Sequence, residues 1–188
     1  MKKLAMLLLF TLPCGLFAAG ADRTLKGVTM PVTVQFEGRQ LLLNGMGLRT
    51  KVVFKVYAAG LYLEKNSTDG LEIAASEQVK KIELVFLRAV DGADVAKAIA
   101  DGFANNNAAD ALPALKDRIA RFEKLIPNVK KGDKLAFTYR PAAGIEVLAN
   151  GKPLGAVEGK DFADALLRVW LGPKPSDKAL KDGLLGLK

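Results

Sequence analysis

Gly45-Met46-Gly47-Leu48-Arg49-Thr50-Lys51, continuing through Lys55-Val56-Tyr57-Ala58-Ala59-Gly60-Leu61-Tyr62-Leu63, is the most informative stretch of this 188-residue chain. From Lys51 to Leu63 it is rich in Val, Phe and Tyr, residue types that fit a pleated, half-buried surface. Near its end the run is apolar on both faces, so a long β-rich segment covered on both sides is expected there.

Moving outward, the same alternation recurs on either side. Val32, Val34 and Phe36 alternate with Thr33, Gln35 and Glu37, and Gly38 turns the chain into Gln40 to Asn44, which reads as a hairpin. Asn66 to Gly70 reads as a loop, and Ile82, Leu84 and Phe86 mark another strand. The period then changes. Val95, Ala98, Ile99, Gly102 and Phe103 fall on one face of a helix, with Asp91 or Asp94 as its expected N-cap. Asn105 to Asn107 make a polar break. A second helix follows Asp110, with Pro113 in its first turn, Leu115, Ile119 and Phe122 along one side, and Pro127 closing it.

Leu135, Phe137 and Tyr139 restore the strand pattern, and Ile145 to Ala149 forms the next strand. Asn150-Gly151 is a type I′ hairpin signal, because both residues tolerate positive φ. Phe162, Leu166, Val169 and Trp170 line a helix that stops at Gly172-Pro173, and Ser176 is the expected cap of a last short helix carrying Leu180 and Leu184. Strands, two helices, a hairpin and two more helices describe a single α+β domain with a largely antiparallel sheet.

The N-terminus carries a different signal. Lys2 and Lys3 precede the apolar run Leu4 to Leu12; Pro13 breaks it, and the small residues Ala18, Ala19, Gly20 and Ala21 follow. That order is expected of a cleaved secretory signal peptide over residues 1–21, leaving a mature domain over 22–188. The apolar run is shorter than the roughly 20 residues that span a bilayer, so no transmembrane segment is expected after cleavage. The expected location is the periplasm or the extracellular medium. Cys14 leaves with the leader, so no disulfide can form and the fold must rest on its apolar core.

Composition excludes much chemistry. The chain has no His, which rules out a Ser-His-Asp triad, a Cys-His pair and any His-ligated metal. Its acidic residues show no calcium-loop spacing, and no metal or cofactor is expected. The net charge is +8, of which Lys2 and Lys3 supply two. The remaining lysines are scattered without an aromatic-plus-basic motif, so nucleic acid is not an expected partner.

Two segments together carry a resemblance. Gly45 to Arg49 with Lys55 to Leu63 resembles the first motif of the chalcone isomerase-like family, and Phe162 to Gly172, ending Val169-Trp170-Leu171-Gly172, resembles its late helix. Asp177 to Gly186 extends the likeness into the final helix. The resemblance implies an open-faced β-sandwich: a large, mostly antiparallel sheet with helices packed on one side and a ligand cleft between them. The expected protein is a bacterial, exported and non-catalytic member.

The site residues carry that last expectation. In the isomerases of this family an arginine holds the developing negative charge of the reaction, and Arg49 stands at that position. Its forked donors suit a phenolate or a carboxylate. Tyr57 takes the place of the isomerase threonine, and Arg49 with Tyr57 looks like the carboxylate-holding pair of the fatty-acid-binding relatives. Eight steps along one straight strand would span about 26 Å, so the pair works only if the chain bends between them. Val95 and Gly102 fall at the tyrosine and asparagine positions of the middle helix, and Val169 replaces a polar residue of the late helix. None of these three side chains donates a hydrogen bond. The ligand-binding set expected is therefore Arg49, Tyr57, Val95, Gly102 and Val169, with no catalytic residue, around a fatty acid or similar amphiphilic anion.

Two alternatives remain open in the sequence. One is an intramolecular lyase or isomerase on another substrate, with Tyr57 or Tyr62 as its acid. The other is an accessory protein that meets a partner through Trp170 and Tyr62.

Overall fold

Alternating apolar residues build the strands and 3.6-residue stripes build the helices of the computed structural model, which describes residues 21–187. The strands are β1 (Arg23–Leu25), β2 (Val28–Met30), β3 (Thr33–Phe36), β4 (Arg39–Lys51), β5 (Phe54–Leu63), β6 (Lys80–Phe86), β7 (Lys134–Arg140), β8 (Gly144–Ala149) and β9 (Lys152–Val157). The helices are α1 (Gly70–Ala75), α2 (Gly92–Asn106), α3 (Leu112–Glu123), α4 (Lys160–Leu171) and α5 (Lys178–Leu184). Strands β3 to β9 form one seven-stranded sheet in chain order, antiparallel throughout, and β1 pairs with β2 in a separate hairpin. The signal peptide expected over 1–21 lies, apart from Ala21, outside the described residues. No helix among the described residues is long and apolar enough to cross a membrane.

Period-2 alternation decides which residues meet the helices. Ala59, Leu61 and Leu63 of β5, Ile82, Leu84 and Phe86 of β6, and Leu135, Phe137 and Tyr139 of β7 share one core with buried residues of all five helices. The opposite face holds a smaller cluster of Leu41, Leu43, Ala58, Tyr62 and Val85, covered by Val28 and Met30 from the first hairpin. This is the α+β arrangement expected, a curled antiparallel sheet with its helices on one side. Helix α4 is the central packing element: Phe162 contacts both Phe103 of α2 and Phe122 of α3, with ring centroids 5.5 and 5.8 Å apart.

The expected long segment from Lys51 to Leu63 is broken. Val52 and Val53 form a tight turn between β4 and β5, and these strands pair from Leu42↔Leu63 to Lys51↔Phe54. The turn has no sequence signature, because it contains neither Gly nor Asn. Val52 adopts φ 58°, a left-handed conformation that costs a β-branched residue roughly 1–2 kcal/mol. By contrast, Asn150-Gly151 turns β8 into β9 with φ 50° and 78°, as its sequence foretells.

Gly45 and Gly47 explain the first motif physically. A Cβ on Gly47 would collide with the Leu180 carbonyl oxygen, and one on Gly45 with that of Gly183. Both glycines thus let α5 lie directly on the β4 backbone. The cap of α5 is Asp177 rather than Ser176: its Oδ1 accepts from the Leu180 amide at 3.1 Å. Asp91 occupies the N-cap of α2 without a side-chain bond, and the Gly92 amide donates instead to Asn128 Oδ1 at 2.8 Å.

Helix α1, which the sequence reading leaves unassigned, ends on Lys80, a fully buried lysine. Its Nζ donates to the carbonyls of Ile73, Ala74 and Ser76 at 3.1, 2.8 and 2.7 Å and stands 4.5 Å from the centre of the Tyr139 ring. The ammonium satisfies carbonyls that a short helix would otherwise leave without partners. Burial pulls its pKa down to about 8.

Candidate functional site

The turn at Val52-Val53 makes Arg49 and Tyr57 direct cross-strand partners. This fold-back is the bend that their sequence separation requires, and directly opposed residues carry Cβ atoms roughly 4.5–5.5 Å apart. Both face the helix side of the sheet, since Arg49 continues the Gly45-Gly47 row that carries α5 and Tyr57 continues the row of Ala59 and Leu61.

Arg49 is four-fifths buried. Its Nη1 donates to the Thr50 carbonyl at 2.6 Å and stands 3.7 Å from Asp177 Oδ2. That carboxylate is already engaged, because Oδ2 accepts from the Thr50 amide at 3.0 Å and Oδ1 caps α5. Arg49 is therefore only loosely paired, and no other of its nitrogens makes a hydrogen bond among the described residues. The Tyr57 hydroxyl accepts a hydrogen bond from Trp170 Nε1 at 3.2 Å, and its ring meets Phe86 edge-on with centroids 5.6 Å apart. Burial pushes the Tyr57 pKa up to about 12, against the smaller opposing pulls of the Trp170 bond and the Arg49 charge.

These two residues line a cavity of about 720 Å³ between the sheet and helices α2 and α4. Its apolar walls come from Leu84 and Phe86, Val95 and Ile99, and Val169 and Trp170. Its exposed rim carries Lys51, Arg88 and Lys130, set against Asp91 and Asp94. Arg49, Tyr57, Val95 and Val169 thus lie around one space. Gly102 does not line it: a Cβ there would strike Val169 Cγ1, so Gly102 sets how closely α2 approaches α4.

Sequence reasoning overlooked Phe86, Ile99, Trp170 and the charged rim as lining groups. Ile99 lies one turn beyond Val95 on the same helical face, and Leu84 and Phe86 share a strand face, so periodicity carried that part of the signal. The rim residues come from the end of β4, the β6–α2 loop with the first turn of α2, and the segment before β7, which only the fold brings together. Trp170 and Tyr62 are both buried, at 3% and 1% exposure, which removes them as surface anchors for a partner. Tyr62 lies on the opposite face of the sheet, where its hydroxyl donates to the Pro31 carbonyl at 3.0 Å.

Among the described residues, no group of three or more acidic or cysteine side chains is placed to hold a metal ion. The arrangement suits recognition of an anion at one end of a mainly apolar hollow: a fixed cation with free donors, a phenolic donor, and inner walls that are mostly apolar.

No curated protein matches the chain. Among solved structures, a fatty-acid-binding protein of Arabidopsis thaliana superposes with a TM-score of 0.71 at 15% identity, covering 88% of this chain and 96% of its own, which shows a common fold. The family model described as chalcone isomerase-like matches residues 22–186. With nearly the whole described chain inside that match, the protein belongs to the chalcone isomerase-like family.

Proposed function

We propose that this is an exported bacterial binding protein whose cavity holds a fatty acid or similar amphiphilic anion without transforming it. The observation that carries the reading is the Arg49–Tyr57 pair at the polar end of an otherwise apolar hollow. A carboxylate would take charge-assisted hydrogen bonds from the Arg49 fork and a third from the Tyr57 hydroxyl. Its hydrocarbon tail would lie against Phe86, Ile99 and Val169, where burial contributes about 25 cal/mol per Å². The fatty-acid-binding protein of the same fold supports this choice of ligand class. Export rests on the leader-like order of residues 1–21, which points to a periplasmic or secreted protein.

Isomerase chemistry is the weaker reading. Val95 and Val169 put methyl groups where donors to a developing oxyanion would be needed, and each missing donor of that kind costs about 10²–10³-fold in rate. Burial pushes the Tyr57 pKa up to about 12, so the phenol is protonated at neutral pH and serves as a hydrogen-bond donor, not as a base.

Native mass spectrometry of freshly purified protein tests the proposal. Retained lipid with a carboxylate headgroup is the expected result. Turnover of chalcones well above their spontaneous rate would overturn the non-catalytic reading, and unchanged fatty-acid affinity in Arg49→Ala would remove the carboxylate clamp.

A further inference from the structure

The tip of the β4–β5 hairpin is the most exposed apolar feature of the described residues. Val52, Val53 and Phe54 are 89%, 76% and 58% exposed and consecutive. The other two-residue hairpin turns among the described residues, Lys26-Gly27, Glu37-Gly38 and Asn150-Gly151, each use glycine with two positive φ angles. Val52-Val53 alone does without one and holds a strained valine in solvent, where a polar pair would turn the chain with less strain.

The surroundings of the tip are mainly cationic, with Asp91 and Asp94 the acids on the same rim. Lys51 and Lys55 flank it in sequence, the Arg88 guanidinium lies 4.7 Å from the centre of the Phe54 ring, and Lys130 shares the cavity lining with Val52 and Phe54. Apolar residues that enter the acyl boundary while a ring of cations stays at the headgroups are the features of reversible binding to an anionic lipid surface. Phe54 and Val52 belong to both the tip and the cavity wall, so a docked tip would open the hollow onto the lipid.

We infer that the Val52-Val53-Phe54 tip docks on anionic membranes and that the cavity exchanges its amphiphile directly with the bilayer. The exchange half rests on the ligand class proposed above; the docking half stands on exposure and charge alone. Three exposed apolar side chains and their flanking cations amount to a weak, salt-sensitive anchor, since each cation near such a surface contributes about fivefold in affinity.

Sedimentation of the purified chain with phosphatidylcholine vesicles, with and without phosphatidylglycerol, tests the docking. The chain should sediment with the phosphatidylglycerol vesicles and leave them as salt is raised. Val53→Asp, in a side chain outside the cavity lining, should weaken sedimentation about tenfold and leave palmitate binding in vesicle-free solution unchanged. Val52→Asn with Val53→Gly gives the turn an unstrained pair; it should fold at least as stably and also fail to sediment. Equal sedimentation of Val53→Asp and the parent chain would overturn the inference. So would self-association in sedimentation velocity that Val53→Asp abolishes without any vesicle binding, which would assign the tip to a second copy. Palmitate binding without vesicle binding would overturn docking and keep the proposed function; vesicle binding without palmitate binding would do the reverse.

Discussion

Trp170 Nε1–H donates to the Tyr57 hydroxyl oxygen across 3.2 Å, tying the last turn of α4 to β5 at the wall of the cavity. The bond uses that oxygen as an acceptor, so the phenolic hydrogen is free for an incoming anion. Tyr57→Phe should therefore act twice. It should weaken fatty-acid binding about five- to tenfold, and it should destabilise the fold by about 1–2 kcal/mol by leaving a buried indole N–H unpaired. Displacement of a fluorescent fatty acid reads the first effect and urea unfolding the second.

Arg49→Ala should lower fatty-acid affinity roughly 10–100-fold, the range of a charge-assisted hydrogen bond. Stability should change little, because Asp177 keeps its bonds to the Thr50 and Leu180 amides. Arg49→Lys keeps the charge and loses the fork, so its affinity should fall between the two. Titration with palmitate beside a thermal melt separates loss of binding from loss of fold.

Gly47→Ala should cost about 1–3 kcal/mol, because the added methyl meets the Leu180 carbonyl and α5 must move off β4. That movement carries Asp177 away from Arg49, so ligand affinity should change as well, in a residue that touches no ligand. Urea midpoints combined with palmitate titration would show both effects together.

Lys80 sets a pH dependence whose sign follows from its burial. The native state releases its proton near pH 8 and the unfolded chain near 10.5, so the unfolded state holds more protons between those values and stability rises with pH there. Tyr57 and Tyr139 act oppositely: burial raises both to about 12, so above pH 10 the unfolded chain loses protons that the native state keeps, and stability falls. Urea midpoints should climb from about pH 8 and turn over near pH 10. Lys80→Met should abolish the climb, keep the fall, and cost about 3 kcal/mol at neutral pH by stranding the carbonyls at the end of α1.

Sequence alone exposed the elements whose signal is local. The stripe of Val95, Ile99 and Phe103, the alternation of Leu135, Phe137 and Tyr139, and Asn150-Gly151 each match an element of the fold. The β4–β5 turn escaped because Val52 adopts a conformation that its type disfavours, so propensity pointed to a continuous strand. Helix α1 escaped because six residues are too few to display a period, and its last carbonyls are held by the buried Lys80 ammonium, which no capping pattern signals. Within the candidate site, Arg49 and Tyr57 were legible as residue types. Their adjacency was not, since it depends on that same turn. Gly102 was placed on the correct helical face, yet helix spacing, invisible in sequence, sets it against Val169 instead of the hollow.

Arg49 and Tyr57 face each other across neighbouring strands of one hydrogen-bonded ladder, whereas much of the opposite wall is carried by two helices packed through side chains. On the carrier reading, these parts have unequal stiffness. The ladder holds the charged end of a guest in fixed geometry, and small rotations of α2 against α4 adjust the room left for its tail. Such a molecule would be strict about what a guest's head is made of and tolerant about how long the guest is.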